Sequence, residues 1–545
     1  MAENSPQSVN ALSPDAPPSA TPASPDDVFR LEFRRNMGQI SRQSLTFFAG
    51  TIFTMLVGYV VKVYVARVLG AANLGIYALG MTLVSLTQLV GCLGLQGAAP
   101  RYIAIYNATG RFDELRGFLT KSIAVVLGLN LVFSIVLYRA GGWFARTVYH
   151  APDLSRYIPV FAVLTVLGAL QVFYSQVLAG FKDVAKRTVI TNFIGSPLVS
   201  ILTVILLALG TGMWGYLFAQ IVNSVVVLAL LVLVAWKLTP PAARFSAAPL
   251  PRFDPEIKNF AAAALGMGAL DFLVSQADKI LLGFYLNPTL VGIYVIASTL
   301  SAFIPLILQS VNQIFTPVIA DLHVQGRIQV LGRLFQTLTK WVVGLTLPLA
   351  IVIIVFAVPL LRIFGPAFEA GWPVLIIGAV GQLVNCGVGS VGYLLLMSGN
   401  QRRLIRVQFV MAIVSVIVNI TLIPLLGIVG AAIAAAGVNV GGNLWNLSEV
   451  HKALRIWPYN RSYYALLIPG FSVVVAVALL RRWTALMAHP WIAVLVALAV
   501  SYLVFIALSL KYALDQDDRM IAVAAWTQLR GAFQMKPAAQ TGVKA

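Results

Sequence analysis

Four ionisable residues, Lys62, Asp271, Asp278 and Lys279, stand in stretches otherwise apolar enough to cross a bilayer. An ionised side chain at mid-membrane costs roughly 2.5–3.5 kcal/mol on insertion scales, so such residues face a bundle interior or a wet cavity. In a helix over 259–285, Asp271, Ser275 and Asp278 share one face, because residues three and four apart lie above one another. Two ammonium groups at one aqueous space suit an anion such as phosphate or pyrophosphate. The carboxylates of Asp271 and Asp278 are the candidates for coupling to an ion or a proton. Each residue also has a plainer reading. The lysines sit near enough to their span ends to snorkel to the interface, and Asp278 is placed to pair structurally with its neighbour Lys279.

Amides form further polar stripes. Gln276 adjoins the charged face; Gln309, Asn312 and Gln313 form a second group, and Asn439, Asn443 and Asn446 repeat at i, i+4, i+7. These groups either meet a polar ligand or hydrogen-bond neighbouring helices. Gln276, Gln309, Asn312, Asn439 and Asn443 join the two lysines as substrate-binding candidates. His150, His323, His451 and His489 have no triad-like or metal-like spacing, and Cys92 and Cys386 lie in apolar segments. No catalytic residue, metal site or cofactor is therefore expected.

The elements that must hold these groups are helices in a membrane. The chain has 545 residues, 59% hydrophobic and only 10% charged, with a mean hydropathy of +0.86; soluble domains carry about 25% charge. The net charge of +19 sits in short loops between apolar runs, where membrane-flanking cations belong, and implies no nucleic acid. Fourteen runs are apolar and long enough to be spans, starting near 44, 74, 116, 157, 187, 214, 259, 290, 338, 372, 404, 428, 463 and 489. With the N-terminus inside, the cytoplasmic segments receive 29 of the 38 Lys and Arg and the outer loops 7. An extra or missing span would blur that contrast.

The chain repeats itself. Gly75-Ile76-Tyr77 through Leu83 matches Gly292-Ile293-Tyr294 through Leu300 at five of nine positions, an offset of 217. At that offset Lys62 falls on Lys279. The repeat predicts an all-α protein of two pseudo-symmetric six-helix lobes, related by an axis along the membrane normal. The N-lobe spans 44–236 and the C-lobe 259–455, joined by a cytoplasmic linker, 237–258. Residues 463–511 form an appended helix pair, and 512–545 a cytoplasmic tail. Residues 1–27, with six prolines, are expected to be disordered. Residues 28–43 carry Phe29, Phe33, Met37 and Ile40 against four arginines, the pattern of an interfacial amphipathic helix.

Several short motifs occur in a recognisable order. Arg67-Val68-Leu69-Gly70-Ala71-Ala72-Asn73-Leu74-Gly75-Ile76-Tyr77 follows the first span, and Arg101-Tyr102-Ile103-Ala104 the second. Asp278-Lys279 and Gly292-Ile293-Tyr294 mark the second half, and Ile363-Phe364-Gly365-Pro366-Ala367-Phe368 follows the ninth span. In these the chain resembles the polysaccharide (O-antigen type) flippases of the multidrug/oligosaccharidyl-lipid/polysaccharide exporter superfamily, over about residues 40–515. The resemblance implies fourteen spans, both termini cytoplasmic, two lobes and alternating access. It implies as substrate a glycan on a polyprenyl pyrophosphate, moved from the inner to the outer leaflet of the bacterial inner membrane for cell-surface polysaccharide synthesis. Its partners would be that lipid-linked glycan, the bilayer, and polysaccharide polymerase or export machinery. Lipid II flippases and multidrug or cation exporters on the same fold are the alternatives; two intramembrane lysines argue against a cationic cargo. A membrane glycan polymerase or ligase would need a sizeable outer loop with reactive residues, which the sequence lacks. A non-transporting scaffold would need no polar cavity.

Overall fold

A computed structural model describes residues 25–244, 254–484 and 490–512, and all regular elements among them are helical. The N-terminal half comprises α1 (Pro25–Gly91), α2 (Leu95–Ala108), α3 (Phe112–Thr147), α4 (Pro152–Gly180), α5 (Val184–Thr188), a π-helical turn (Val189–Gly195), α6 (Ser196–Ala208), α7 (Gly212–Leu238) and the short α8 (Pro241–Arg244). The second half comprises α9 (Pro255–Tyr285), α10 (Pro288–Ser301), α11 (Leu306–Val324), α12 (Ile328–Val355), α13 (Ala357–Arg362), α14 (Trp372–Val388), α15 (Val391–Met397), α16 (Gln401–Leu426) and α17 (Ile428–Leu454). Then come α18 (Arg461–Tyr464), α19 (Leu467–Thr484) and α20 (Pro490–Tyr512). The expected interfacial segment, 28–43, is helical and runs on into the first span, but its side chains lie outside the described residues, as do nearly all of the two terminal tails and His489.

Among the described residues, twelve helices are long and apolar enough to cross a membrane, and the pair Pro288–Ser301 and Leu306–Gln313, bent by 52°, makes a thirteenth. Phe53–Gly91, at 39 residues, is about 58 Å long, nearly twice the hydrocarbon thickness of a bilayer. Gly70 breaks it, at φ 76° and ψ 174°, where an L side chain is strained. Its two arms coincide with the expected first and second spans. Other span boundaries shift for local reasons. Gly94, at φ 75°, ends the second span before α2, and Gly389, at φ 77°, divides the tenth into α14 and α15. At helix starts, Asp254 accepts from the Glu256 amide at 2.9 Å and Asn287 from the Leu290 amide at 3.0 Å, each before a proline at the first helical position.

The lobes meet where the repeat is strongest. A Cβ built on Gly75 would lie 1.7 Å from the Pro288 carbonyl oxygen, and one on Gly292 would lie 2.0 Å from that of Ala71. Ala71 and Pro288 are themselves 217 apart, so the contact is reciprocal, as a two-fold interface requires. Around this crossing a single hydrophobic core takes in both lobes: Val65, Leu79 and Phe161 from the first, Tyr294, Val342 and Phe364 from the second. At the opposite end, where most loop cations lie, the core divides. One cluster holds Cys92, Ile103, Phe173 and Leu231; another holds Phe315, Phe335, Leu394 and Val450. The helix α9 crosses the expected lobe boundary, because Ile257 and Ala261 near its start belong to the N-lobe cluster while Leu282 near its end belongs to the shared core.

The appended pair α19–α20 packs on α12. Tyr502 donates to the Leu345 carbonyl at 2.7 Å, and Lys340, buried in α12, bonds to Ser462 ahead of the pair. The outer faces of these helices are bare and apolar: Phe471 is 72% exposed and Leu503 69%. Water would penalise such a surface, whereas lipid would not.

Because only hydrogen fits between the crossing backbones, Gly75→Val forces the lobes apart. Overpacking costs about 1–3 kcal/mol even against movable side chains, so a loss at or above that range is expected. Thermal unfolding of the detergent-purified protein should show a lowered midpoint. Gly128→Ala, where nothing lies within 4 Å, serves as the near-neutral control. Unchanged unfolding of Gly75→Val would contradict the crossing.

Candidate functional site

A cavity of about 540 Å³ lies between α1, the π turn, α6 and α7 on one side and α9 and α10 on the other. Both Lys62 and Lys279 line it, each half-buried. Lys62 leaves α1 and donates across the lobe interface to Thr299 Oγ1 of α10 at 3.2 Å. Lys279 donates to Gln276 Oε1 at 2.8 Å, one helical turn back along α9. The symmetry of the backbone is thus broken by the side chains. Thr299 pairs at the 217 offset with Thr82, which also lines the cavity. Yet Lys279 bonds to its own helix and not to Thr82.

The polar face expected on α9 divides. Asp271 and Ser275 are exposed, and Asp271 stands eight residues before Lys279, about 12 Å along the helix. Asp278 instead turns into its own lobe. Its Oδ2 accepts from the Tyr294 hydroxyl at 2.5 Å, and its Oδ1 from the Lys279 amide at 2.8 Å. The Lys279 ammonium goes to Gln276, so the structure orients Asp278 by Tyr294 rather than by an ion pair with its neighbour.

The remaining amide candidates do not line this cavity. Gln309 and Gln313 are exposed on α11, while Asn312 is buried there with its Oδ1 unpartnered by the protein. On α17, Asn443 donates to the carbonyl and the side-chain oxygen of Asn439, at 2.9 and 2.6 Å, so the pair satisfies itself along the helix. What sequence reasoning missed is the N-lobe wall. Ser196, Ser200 and Thr203 on α6, and Tyr216, Gln220 and Asn223 on α7, all line the cavity. Both sets repeat at i, i+4, i+7, the same signal that singled out the asparagines of α17, but hydroxyls scattered in an apolar run are easily passed over. Thr191 and Gly195 come from the π turn, an irregularity that often marks functional positions.

Buried and bonded to a carboxylate, the Tyr294 hydroxyl is a strong local tie. Tyr294→Phe leaves the Asp278 oxygen without its donor and should cost about 1–3 kcal/mol, read as a lower unfolding midpoint. Asp278→Asn keeps an acceptor and should lose less. Equal stability of Tyr294→Phe and wild type would remove the bond.

Residues 40–323 match the family described as polysaccharide biosynthesis protein. A probable flippase of Haloferax volcanii, AglR, is 24% identical over 433 residues, covering 77% of this chain and 86% of its own length. A probable low-salt glycan biosynthesis flippase of the same organism, Agl15, is 22% identical over 404 residues, covering 73% and 80%. Among solved structures, the lipid II flippase MurJ in an inward closed conformation superposes with a TM-score of 0.66, at 13% identity, over 85% of this chain and 98% of its own. That last likeness is one of fold.

Proposed function

From the premise that this chain belongs to the polysaccharide biosynthesis protein family, we propose that it is a flippase for a glycan carried on a polyprenyl pyrophosphate. The observation that carries this reading is that Lys62 and Lys279, mates in the internal repeat, line one cavity at the lobe interface. A glycan and its pyrophosphate lose their water in hydrocarbon unless protein groups replace it. Two ammonium groups supply the counter-charge for the pyrophosphate, while the prenyl tail stays in lipid. A cationic drug would meet repulsion at the same place, which disfavours the exporter alternative. Lipid II, itself a polyprenyl-pyrophosphate saccharide, falls within the proposed substrate class.

The division of the core supports alternating access by rocking. One end is a single core around the Gly75–Gly292 crossing, and the other is two separate clusters, so the lobes have a pivot at one end and room to part at the other. The positive-inside rule makes the divided, basic end cytoplasmic, with both termini on that side of a bacterial inner membrane. Asp271, exposed on α9 eight residues before Lys279, and Asp278 beside Lys279 remain the coupling candidates. Either would act by changing the charge near the lysines as the cavity fills and empties. A polysaccharide polymerase or export complex would be the partner that consumes the delivered glycan.

Lys62→Ala combined with Lys279→Ala should reduce translocation of a polyprenyl-pyrophosphate saccharide in proteoliposomes to the protein-free rate. Membrane insertion and yield should stay at the wild-type level. Full transport by that double variant would remove the cation pair from the mechanism.

A further inference from the structure

The cavity has two chemically different parts, and only one contains charge. Its cations, Lys62 and Lys279, stand at the lobe interface; the wall made by α6, α7 and the second arm of α1 is uncharged. Along that wall the hydroxyls spend their protons on their own helices. Thr82 donates to the Ala78 carbonyl at 2.8 Å, Ser85 to that of Met81 at 2.9 Å, Thr191 to that of Arg187 at 3.0 Å and Ser200 to that of Ser196 at 2.6 Å. A hydroxyl has one proton and two lone pairs, so each of these oxygens can still accept. One more lining atom, Asn223 Oδ1, is buried and has no partner in the protein. A buried acceptor of this kind is costly unless something donates to it.

We infer that this N-lobe wall is the subsite for the first, neutral sugars of the lipid-linked saccharide, with Asn223 and Gln220 as its specificity-determining residues. The inference rests on the flippase reading and locates recognition within the same cavity. An acceptor-rich wall asks its ligand for donors. An ammonium would supply them but is repelled by the two lysines alongside. A carboxylate could take the amide donors of the wall but would meet no cation there once the lysines are engaged by pyrophosphate, and, bringing no proton, it would leave Asn223 Oδ1 without a donor. The sugar hydroxyl supplies donors without charge. One turn before Gln220 on α7, the Tyr216 ring packs edge-on against that of Tyr77 at 4.8 Å, which stiffens the wall beside it. The volume of about 540 Å³ is that of a single small-ligand site. It takes the pyrophosphate and the sugars next to it, leaving the rest of a longer glycan outside, unread.

The test is a binding titration of the purified full-length protein with three short-chain prenyl pyrophosphates: bare, linked to a neutral hexose, and linked to a hexuronate. Native mass spectrometry reads the affinities. Wild type should bind the neutral-hexose lipid about tenfold tighter than either of the others, the gain expected of one or two well-formed hydrogen bonds. Asn223→Ala should lose that increment while its affinity for the bare lipid stays within twofold. Gln220→Leu should do the same with little change of volume, and an unfolding scan of each variant confirms that it is folded. Persistence of the increment in both variants, or equal affinity for hexose and hexuronate, overturns the assignment. Wild type binding bare and hexose lipids equally also overturns it and leaves the flippase reading intact. Failure of wild type to bind any of the three removes both.

Discussion

Everything in this molecule hangs on two backbones crossing with no side chain between them. Gly75 and Gly292 each face the other lobe's main chain at a distance no Cβ would tolerate, and the reciprocity of the contact fixes a pseudo-two-fold relation between the halves. Once that crossing is set, span 1 and span 7 approach the same space from opposite sides, and Lys62 and Lys279 reach one cavity as a consequence. The crossing also sets the character of the two ends. Around it, apolar residues from both lobes make one core; away from it, the lobes keep separate cores.

The side chains then make the two halves chemically unequal. Asp278 has Val61 as its mate at the 217 offset, so the tie to Tyr294 exists in the second lobe only. The equivalent tyrosine, Tyr77, joins Tyr216 at the cavity wall instead. Near-symmetry of backbone with asymmetry of side chains suits a carrier that must hold one end of an elongated, chemically polarised cargo. At the basic end the helix α9 is packed into the N-lobe through Ile257 and Ala261. Close to it, the exposed Arg101–Glu256 pair at 3.3 Å adds little, since such pairs contribute about 0–1 kcal/mol. Parting of the lobes at that end must therefore contend with α9 packing far more than with the ion pair.

Much of the fold was legible in the sequence, because hydropathy, loop charge and the Gly-Ile-Tyr repeat report on independent constraints and agree. The mating of Lys62 with Lys279 was legible too, since an offset carries over from sequence to space when the repeat is real. The breaks within helices were harder to read. Gly70 and Gly389 act through backbone dihedrals, and nothing in their surroundings distinguishes them from glycines that merely sit in a helix. The cavity wall escaped for another reason. Hydroxyls and amides in an apolar run either satisfy themselves along the helix, as Asn439 and Asn443 do, or face a space, as Gln220 and Asn223 do. Spacing alone does not separate the two. Lys340 shows the converse: a lysine at a predicted span edge is buried and serves to anchor the appended helices through Ser462.

The most direct test of the central claim is mass spectrometry of the polyprenyl-linked saccharides in cells depleted of this protein. The account predicts that one lipid-linked saccharide accumulates, its mass giving the sugars carried. No accumulation, with cationic dyes retained by the depleted cells instead, would contradict it and leave the two lysines a structural role alone.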